Sequence, residues 1–171
     1  MHVNFEFKAK CHNLLAAEEQ LQTQQPQFIG EDHQTDTYFN VPTGRLKLRE
    51  GNIENALIFY HRTNVAGAKQ SDVTLYPHKP DPSLKQILTH SLGIKTIVEK
   101  KRCIYFVGNV KLHFDKVEGL GEFVEVEAID KDGTIGIEKL KEQCRYYQQL
   151  FGITQDDFIA QSYSDLLLEK Q

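Results

Sequence analysis

The sequence has little of what secreted, zinc-binding and membrane-spanning proteins depend on. Its three cysteines, Cys11, Cys103 and Cys144, lie far apart, and none forms a CxxC pair. This count argues against a disulfide framework or a zinc site and favours reduced thiols in the cytoplasm. The chain has no apolar signal segment and no apolar run of the length that a membrane span requires. We therefore expect a cytoplasmic protein with no membrane partner.

An excess of basic residues is also absent. The chain has 20 lysines and arginines against 24 aspartates and glutamates, which gives a net charge of −4. This balance argues against a general nucleic-acid-binding protein. It does not exclude a local basic pocket, because net charge says nothing about how the charges are distributed. The length of 171 residues predicts one domain, residues 1–171, large enough to bury a core.

Apolar alternation predicts seven or eight strands, and helical periodicity predicts three or four helices. Mostly short turns separate the strands, which favours an α+β fold around an antiparallel sheet or barrel. Residues 63–82 are polar and hold three prolines, so we predict a long loop there, with one short strand at 71–76, of the kind that often forms a lid. The predicted strands are 2–10, 36–40, 45–50, 56–63, 96–107, 109–117 and 122–130, and the predicted helices are 13–22, 82–92, 137–151 and 164–170.

Four of the predicted strands carry charged residues on one face. Residues two apart in a strand point to the same side of a sheet. Glu6 and Lys8 therefore share one face of the first strand, and Glu125 and Glu127 share one face of strand 122–130. The same spacing recurs in two other strands, at Arg45, Lys47 and Arg49 and at Lys111, His113 and Asp115.

A charged strand face is most often a solvated one, because antiparallel sheets commonly keep one side in water. Two features favour a binding site here. The middle strands concentrate cations, to which Arg62, Lys100 and Arg102 add, whereas the carboxylates gather on the first strand and after Gly121. Like charges on neighbouring strands destabilise a sheet, but an anion between them removes that penalty. A barrel of about eight strands can hold one small ligand, and carboxylates beside phosphate-binding cations suit Mg²⁺ or Mn²⁺.

Other catalytic signatures are weak or missing. Gly119-Leu-Gly121 lacks the third glycine and the following helix of a dinucleotide-binding fingerprint, so it predicts a turn. The sequence contains neither a Walker motif nor HExxH. His113 shares a strand face with the predicted site residues and is interpreted as a hydrogen-bonded structural histidine. Ser71 and Ser162 lack the His/Asp setting that would predict a nucleophile.

Taken together, these segments resemble the CYTH family of triphosphate tunnel enzymes, and within it the class IV adenylate cyclases. The family opens on a Glu-x-Glu-x-Lys strand, and the matching stretch here is Asn4-Phe-Glu-Phe-Lys8. The middle of the family is matched by residues 36–39 and 45–50 and by Arg62. Similarity to the class IV cyclases is carried by VEKKRCIYFVG at 98–108, Asp115, GLGEFVEVE at 119–127 and SYSDLL at 162–167.

The resemblance implies a closed or nearly closed eight-stranded antiparallel β-barrel, a tunnel with flanking helices. It further implies binding of ATP or another triphosphate, Mg²⁺ or Mn²⁺ as cofactor, and a homodimer. By position, Glu6, Glu125 and Glu127 correspond to metal ligands, and Asp115, Arg102 and Lys100 to catalytic residues, with Asp115 acting on the metal or on the attacking hydroxyl. The phosphate-binding positions are Lys8, Lys47, Arg49, Arg62, Lys100 and Arg102.

The opening motif departs from the family at its first position, where Asn4 stands in place of a glutamate. An asparagine offers a carbonyl oxygen without a negative charge, so it is a weaker ligand for a hard cation. Three functions stay open. The second half of the chain favours an adenylate cyclase that converts ATP to 3′,5′-cyclic AMP and pyrophosphate. A triphosphatase acting on tripolyphosphate or an organic triphosphate needs nearly the same ionic residues, and Asn4 also suits a tunnel that binds its ligand without turning it over.

Overall fold

Eight strands and four α-helices make up the fold in the computed structural model, which describes residues 2–171. The strands are β1 (His2–Lys10), β2 (Gln27–Phe39), β3 (Arg45–Glu50), β4 (Ala56–Arg62), β5 (Lys69–Pro77), β6 (Ile94–Val107), β7 (Val110–Val117) and β8 (Gly121–Asp130). The helices are α1 (Leu14–Gln22), α2 (Pro82–Leu92), α3 (Ile137–Leu150) and α4 (Tyr163–Glu169), and a short 3₁₀ helix covers Gln155–Asp157.

The strands close into a barrel, as the resemblance implied. Their order around the barrel is β1-β5-β4-β3-β2-β6-β7-β8, every neighbouring pair is antiparallel, and β8 pairs with β1 to complete the circle. Glu6 lies opposite Glu127 and Lys8 lies opposite Glu125 across the β1–β8 pair. The two strands that carry most of the predicted carboxylates are therefore neighbours, although they stand more than a hundred residues apart in the chain.

The main apolar core lies outside the barrel, between its wall and the helices. Val124, Val126 and Ala128 of β8 are completely buried in this core, together with Leu140 and Cys144 of α3. Because side chains alternate along a strand, residues 125 and 127 must face the other way, into the barrel. Packing the apolar face against helices thus leaves the barrel interior free for charged groups.

Two strands differ from the sequence-based prediction. We predicted a strand at 36–40, but β2 begins at Gln27, and we predicted a long loop at 63–82, but β5 is a full strand that pairs with both β1 and β4. The buried positions of these segments are mostly polar, namely Asp32 and Gln34 in the first part of β2 and Lys69 and Ser71 in β5, where Val73 is the apolar exception. Because their exposed positions, such as His33 and Asp72, are polar as well, neither face supplies the apolar alternation that predicts a strand.

The helices follow the prediction closely. Asn13 caps α1 by accepting a hydrogen bond from the backbone N–H of Ala16 at 3.1 Å, and α2 begins at Pro82 and ends before Gly93, whose φ is 76°. None of the residues of α2 is buried. Within residues 2–171, every helix is too short or too polar to cross a lipid bilayer.

Candidate active site

The barrel encloses a cavity of about 110 Å³ that is rich in positive charge. Its charged lining consists of the cations Lys8, Lys47, Arg49, Arg62, Lys100, Arg102 and Lys111 and the carboxylates Glu6, Glu54, Glu125 and Glu127. The chain as a whole has a net charge of −4, yet cations outnumber carboxylates here. A cavity with this excess of cations attracts a small polyanion.

One buried carboxylate holds three of these cations together. Arg49 donates two hydrogen bonds to Asp36, at 2.9 and 2.8 Å, and Lys100 donates another at 2.8 Å. The Nζ of Lys47 lies 3.3 Å from the same carboxylate. A single negative charge thus faces three positive ones, which leaves positive charge to attract an anion in the cavity.

The three cations around Asp36 determine the protonation state of its carboxylate and of Lys100. Although burial opposes ionisation, Arg49, Lys100 and Lys47 hold the pKa of Asp36 well below its usual range. For Lys100 the balance is reversed, because burial and the nearby guanidiniums of Arg102 and Arg49 outweigh Asp36 and lower its pKa to about 7. The Lys100 ammonium therefore loses its proton far more readily than an exposed lysine does.

Arg102 is held from behind by Asp115. Its Nε and one terminal nitrogen each donate to the Asp115 carboxylate at 2.7 Å, and the Tyr163 hydroxyl donates to the same carboxylate at 2.8 Å. Asp115 is completely buried and does not line the cavity. These contacts give Asp115 the position of a residue that orients Arg102. The role proposed for it from the sequence, on the metal or the attacking hydroxyl, stays a prediction.

A second group of side chains, on β1, β7 and β8, is acidic. Glu6 and Glu127 face each other across neighbouring strands, and His113 Nδ1 lies 3.4 Å from Glu125 and 3.8 Å from Glu127. One potential ligand atom from each of His113, Glu125 and Glu127 lies within 4.8 Å of the others. Glu6 also accepts a hydrogen bond from Arg62 at 3.2 Å. We call Glu6, His113, Glu125 and Glu127 the acidic patch.

The acidic patch has the donors that a divalent cation requires. Burial and the carboxylate of Glu6 raise the pKa of Glu127 to about 7, so the patch without a cation disfavours the charged form of Glu127. Burial lowers the pKa of His113 to about 3, which leaves a neutral imidazole. The side-chain oxygen of Asn4, in the same cavity, is buried and has no hydrogen-bond partner. The carboxylate and amide oxygens among these donors fit Mg²⁺ or Mn²⁺.

Residues 160–165 cover one end of the cavity. Lys69 Nζ donates to the backbone carbonyl of Ala160 at 2.7 Å, and Lys8 Nζ lies 3.8 Å from the ring centroid of Tyr163. The Tyr163 side chain lines the cavity and is 3 % exposed. The cations nearest this segment, Lys8 and Lys69, are consequently shielded from solvent.

The other end of the cavity is open. Glu6 pairs with Lys69 and His2 pairs with Val73 along β1 and β5, so Leu75 lies at the end away from residues 160–165. Leu75 lines the cavity and is 44 % exposed. The side chains of Glu54 and Glu127 are 24 % and 21 % exposed. Here Ile58, Val73 and Leu75 form a row of apolar side chains on β4 and β5. We call this row the apolar strip.

The sequence matches the CYTH domain profile over residues 2–163. The chain belongs to the CYTH family. A comparison with curated protein sequences gave no match.

Solved structures support the CYTH fold over almost the whole chain. A conserved hypothetical protein from Pyrococcus furiosus is similar with a TM-score of 0.78 and 24 % identity, covering 97 % of this chain and 99 % of that one. A candidate adenylate cyclase from Vibrio parahaemolyticus has a TM-score of 0.75 and 21 % identity, covering 96 % and 97 %. A candidate adenylyl cyclase from Hippeastrum, described as having a dominant triphosphatase activity, has a TM-score of 0.60 and 15 % identity, covering 99 % and 95 %. These TM-scores establish the shared fold.

Nine of the ten site residues predicted from the sequence line the CYTH tunnel, and only Asp115 lies behind its wall. Sequence reasoning missed Glu54, Lys69 and Tyr163, and it left Lys111 out of the site although Lys111 shares a strand face with His113 and Asp115. Glu54 and Tyr163 lie outside the strands, where alternation carries no signal, and Lys69 falls in the segment that we predicted as a loop.

Proposed function

We propose that the protein is a metal-dependent adenylate cyclase that converts ATP to 3′,5′-cyclic AMP and pyrophosphate. The observation that carries this proposal is the apolar strip, Ile58, Val73 and Leu75, at the open end of a cationic tunnel. The inner cations complement a triphosphate. An apolar surface at the open end complements a nucleobase, which inorganic tripolyphosphate lacks.

In the proposed reaction the ribose 3′-oxygen bonds to the α-phosphorus and the bond from that phosphorus to the bridging oxygen of the β-phosphate breaks. The hydroxyl proton is carried off with the pyrophosphate. Arg62, Lys100 and Arg102 bind the phosphates and stabilise the charge that develops on the leaving pyrophosphate. The acidic patch would hold Mg²⁺ or Mn²⁺, which neutralises phosphate oxygens when bound.

A triphosphatase is the second candidate. It is favoured by the dominant triphosphatase activity described for the Hippeastrum relative and by the buried cations near residues 160–165. In this reaction a water molecule attacks the terminal phosphate, and the same arginines and lysines stabilise the departing diphosphate. The apolar strip has no role in it when the substrate is inorganic.

Product analysis separates the two candidates. The purified protein is incubated with ATP and with tripolyphosphate, each with Mg²⁺ or Mn²⁺, and the products are identified by chromatography and phosphorus NMR. We expect cyclic AMP and pyrophosphate from ATP. Orthophosphate from either substrate, without cyclic AMP, would instead support the triphosphatase, and binding without any product would contradict both enzymes.

A substitution in the apolar strip refines this test. We expect Leu75→Gln to raise the KM for ATP and to change the dissociation constant for tripolyphosphate by a smaller factor. The reason is that only ATP brings a base to this surface. Tyr76→Gln is a matched control, since the neighbouring Tyr76 is 66 % exposed and points out of the barrel. Equal effects of Leu75→Gln on both ligands would contradict a base-binding role for the strip.

Polyphosphate binding is expected to take up a proton above neutral pH. The pKa of Lys100 is lowered to about 7 by burial, so at pH 8 most of the free protein lacks this charge. A bound anion favours the ammonium, and binding therefore protonates Lys100 and weakens as pH rises above about 7. Calorimetry of tripolyphosphate binding at pH 8, in buffers of different ionisation enthalpy, measures this uptake.

The control for that measurement is Lys100→Arg, whose guanidinium stays charged throughout this range. Proton uptake by tripolyphosphate itself is the same for both proteins, so the difference between them reports Lys100. Equal proton uptake in the two proteins would contradict the prediction.

A further inference from the structure

The loop between β3 and β4, residues 51–55, reaches across the open end of the tunnel. Glu54 in this loop accepts hydrogen bonds from Lys111 Nζ at 3.0 and 2.7 Å. Lys111 belongs to β7, and both β2 and β6 lie between β3 and β7 around the barrel. The Glu54–Lys111 ion pair therefore bridges separate parts of the rim.

This loop is held in place by a buried carboxylate. The backbone N–H groups of Ile53 and Glu54 each donate to Asp32 at 2.9 Å, and Asp32 is completely buried. Gly51 fits only as glycine, because a Cβ at this position would lie 2.6 Å from a carboxylate oxygen of Asp32. The position of Glu54 is thus set by backbone contacts that do not depend on Lys111.

The two ends of the tunnel consequently offer a polyphosphate different surroundings. Near residues 160–165, Lys69 donates to the backbone carbonyl groups of Val65 and Ala160 at 2.9 and 2.7 Å, and farther along the tunnel Arg49, Lys100 and Lys47 share Asp36. At the open end, Lys111 is already neutralised by Glu54. Lys111 and Arg49 also hold the pKa of Glu54 well below its usual range despite burial, so Glu54 carries a full negative charge at neutral pH.

We propose that Glu54 limits the tunnel to chains of three phosphates by neutralising Lys111 at the open end. Three phosphates occupy the inner cations, and a fourth reaches the rim, where it meets a fixed carboxylate and a lysine that is already paired. This inference rests on the polyphosphate binding of the proposed function and is independent of the reaction that follows.

The test compares calorimetric dissociation constants for linear tripolyphosphate and linear tetrapolyphosphate. We expect Glu54→Gln to lower the ratio of the tetrapolyphosphate constant to the tripolyphosphate constant about tenfold, because Lys111 becomes available and the repulsion is lost. Adding Lys111→Met to Glu54→Gln is expected to remove most of this gain. Lys111→Met alone should raise the ratio, because Glu54 then repels a fourth phosphate without a partner.

Glu50→Gln is the matched control, since Glu50 lies next to the same loop but pairs with Lys85 of α2 at 3.4 Å. This control is expected to keep the wild-type ratio. An unchanged ratio in Glu54→Gln, with a thermal unfolding midpoint like that of the wild type, would overturn the role of Glu54. A gain that persists in the double variant would overturn the role of Lys111. Lack of tripolyphosphate binding by the wild type would overturn the proposed function together with this inference.

Discussion

Replacing Asp36 with asparagine is expected to lower the free energy of unfolding by about 3 kcal/mol. Arg49, Lys100 and Lys47 all contact this carboxylate, and without it three cations remain close together in a buried site. The expected loss lies at the lower end of the range for a broken buried ion pair, because Lys100 can lose its proton. Urea unfolding at pH 7 measures the change.

The control is Asp165→Asn, which removes the same charge from a less buried pair. Asp165 lies 2.8 Å from Arg45, and their side chains are 20 % and 16 % exposed. We expect it to cost about 1 kcal/mol or less. Equal losses in the two variants would show that Asp36 does not organise the cations.

Tripolyphosphate is expected to stabilise Asp36→Asn more than it stabilises the wild type. In the variant a phosphate can take the place of the missing carboxylate, so binding is tighter and the stability gained at a given ligand concentration is larger. Unfolding curves with and without tripolyphosphate test this directly. A smaller gain in the variant would mean that Asp36 is needed to hold the cations in their binding geometry.

Replacing Glu127 with glutamine is expected to reduce turnover at least about a hundredfold without lowering the stability of the metal-free protein. Glu127 faces Glu6 across the β1–β8 pair, so its charge is repelled when no cation is bound. The same charge attracts a divalent cation. Turnover and Mn²⁺ affinity, the latter by electron paramagnetic resonance, should therefore both fall, while the free energy of unfolding stays the same or rises.

Glu122→Gln serves as the control, because Glu122 lies on the same strand but faces out of the barrel opposite Lys116. Its turnover and Mn²⁺ affinity are expected to match the wild type. If Glu127→Gln binds Mn²⁺ as tightly as the wild type, Glu127 is not a metal ligand. If it turns over substrate at the wild-type rate, the tunnel mechanism is contradicted. Arg102 is less suited to such a test, because its loss would leave Asp115 buried without its cation and destabilise the fold.

The errors in the predicted strands have a common cause. Alternation of apolar and polar residues identifies a strand only when one of its faces is apolar. β8 met this condition, since Val124 and Val126 pack against the helices while Glu125 and Glu127 face the cavity. The first half of β2 did not meet it, because its buried positions, Asp32 and Gln34, and its exposed positions, Glu31 and His33, are all polar. A strand with polar side chains on both faces therefore gives no alternation signal.

The site residues divide in the same way. Those on strands with clear alternation, such as Lys8, Arg49 and Glu125, could be placed on one face from spacing alone, and the family resemblance then suggested their roles. The partners of these residues could not be predicted. That Arg49 contacts Asp36, and that Asp115 lies behind Arg102, depends on the register between consecutive strands, and the contact of Lys100 with Asp36 depends on the pairing of β2 with the distant β6. The homodimer and the cytoplasmic location stay predictions.

The sequence by itself determined that this protein has strands with one apolar and one ionic face, and that it resembles the CYTH family. The physical reason is that side-chain direction along a strand is a local property with a period of two residues. Only the tertiary structure decided which ions pair, which end of the tunnel is covered by residues 160–165, and that Glu54 meets Lys111 at the open end. Those features depend on barrel closure and strand register, which bring together residues whose spacing in the sequence carries no period.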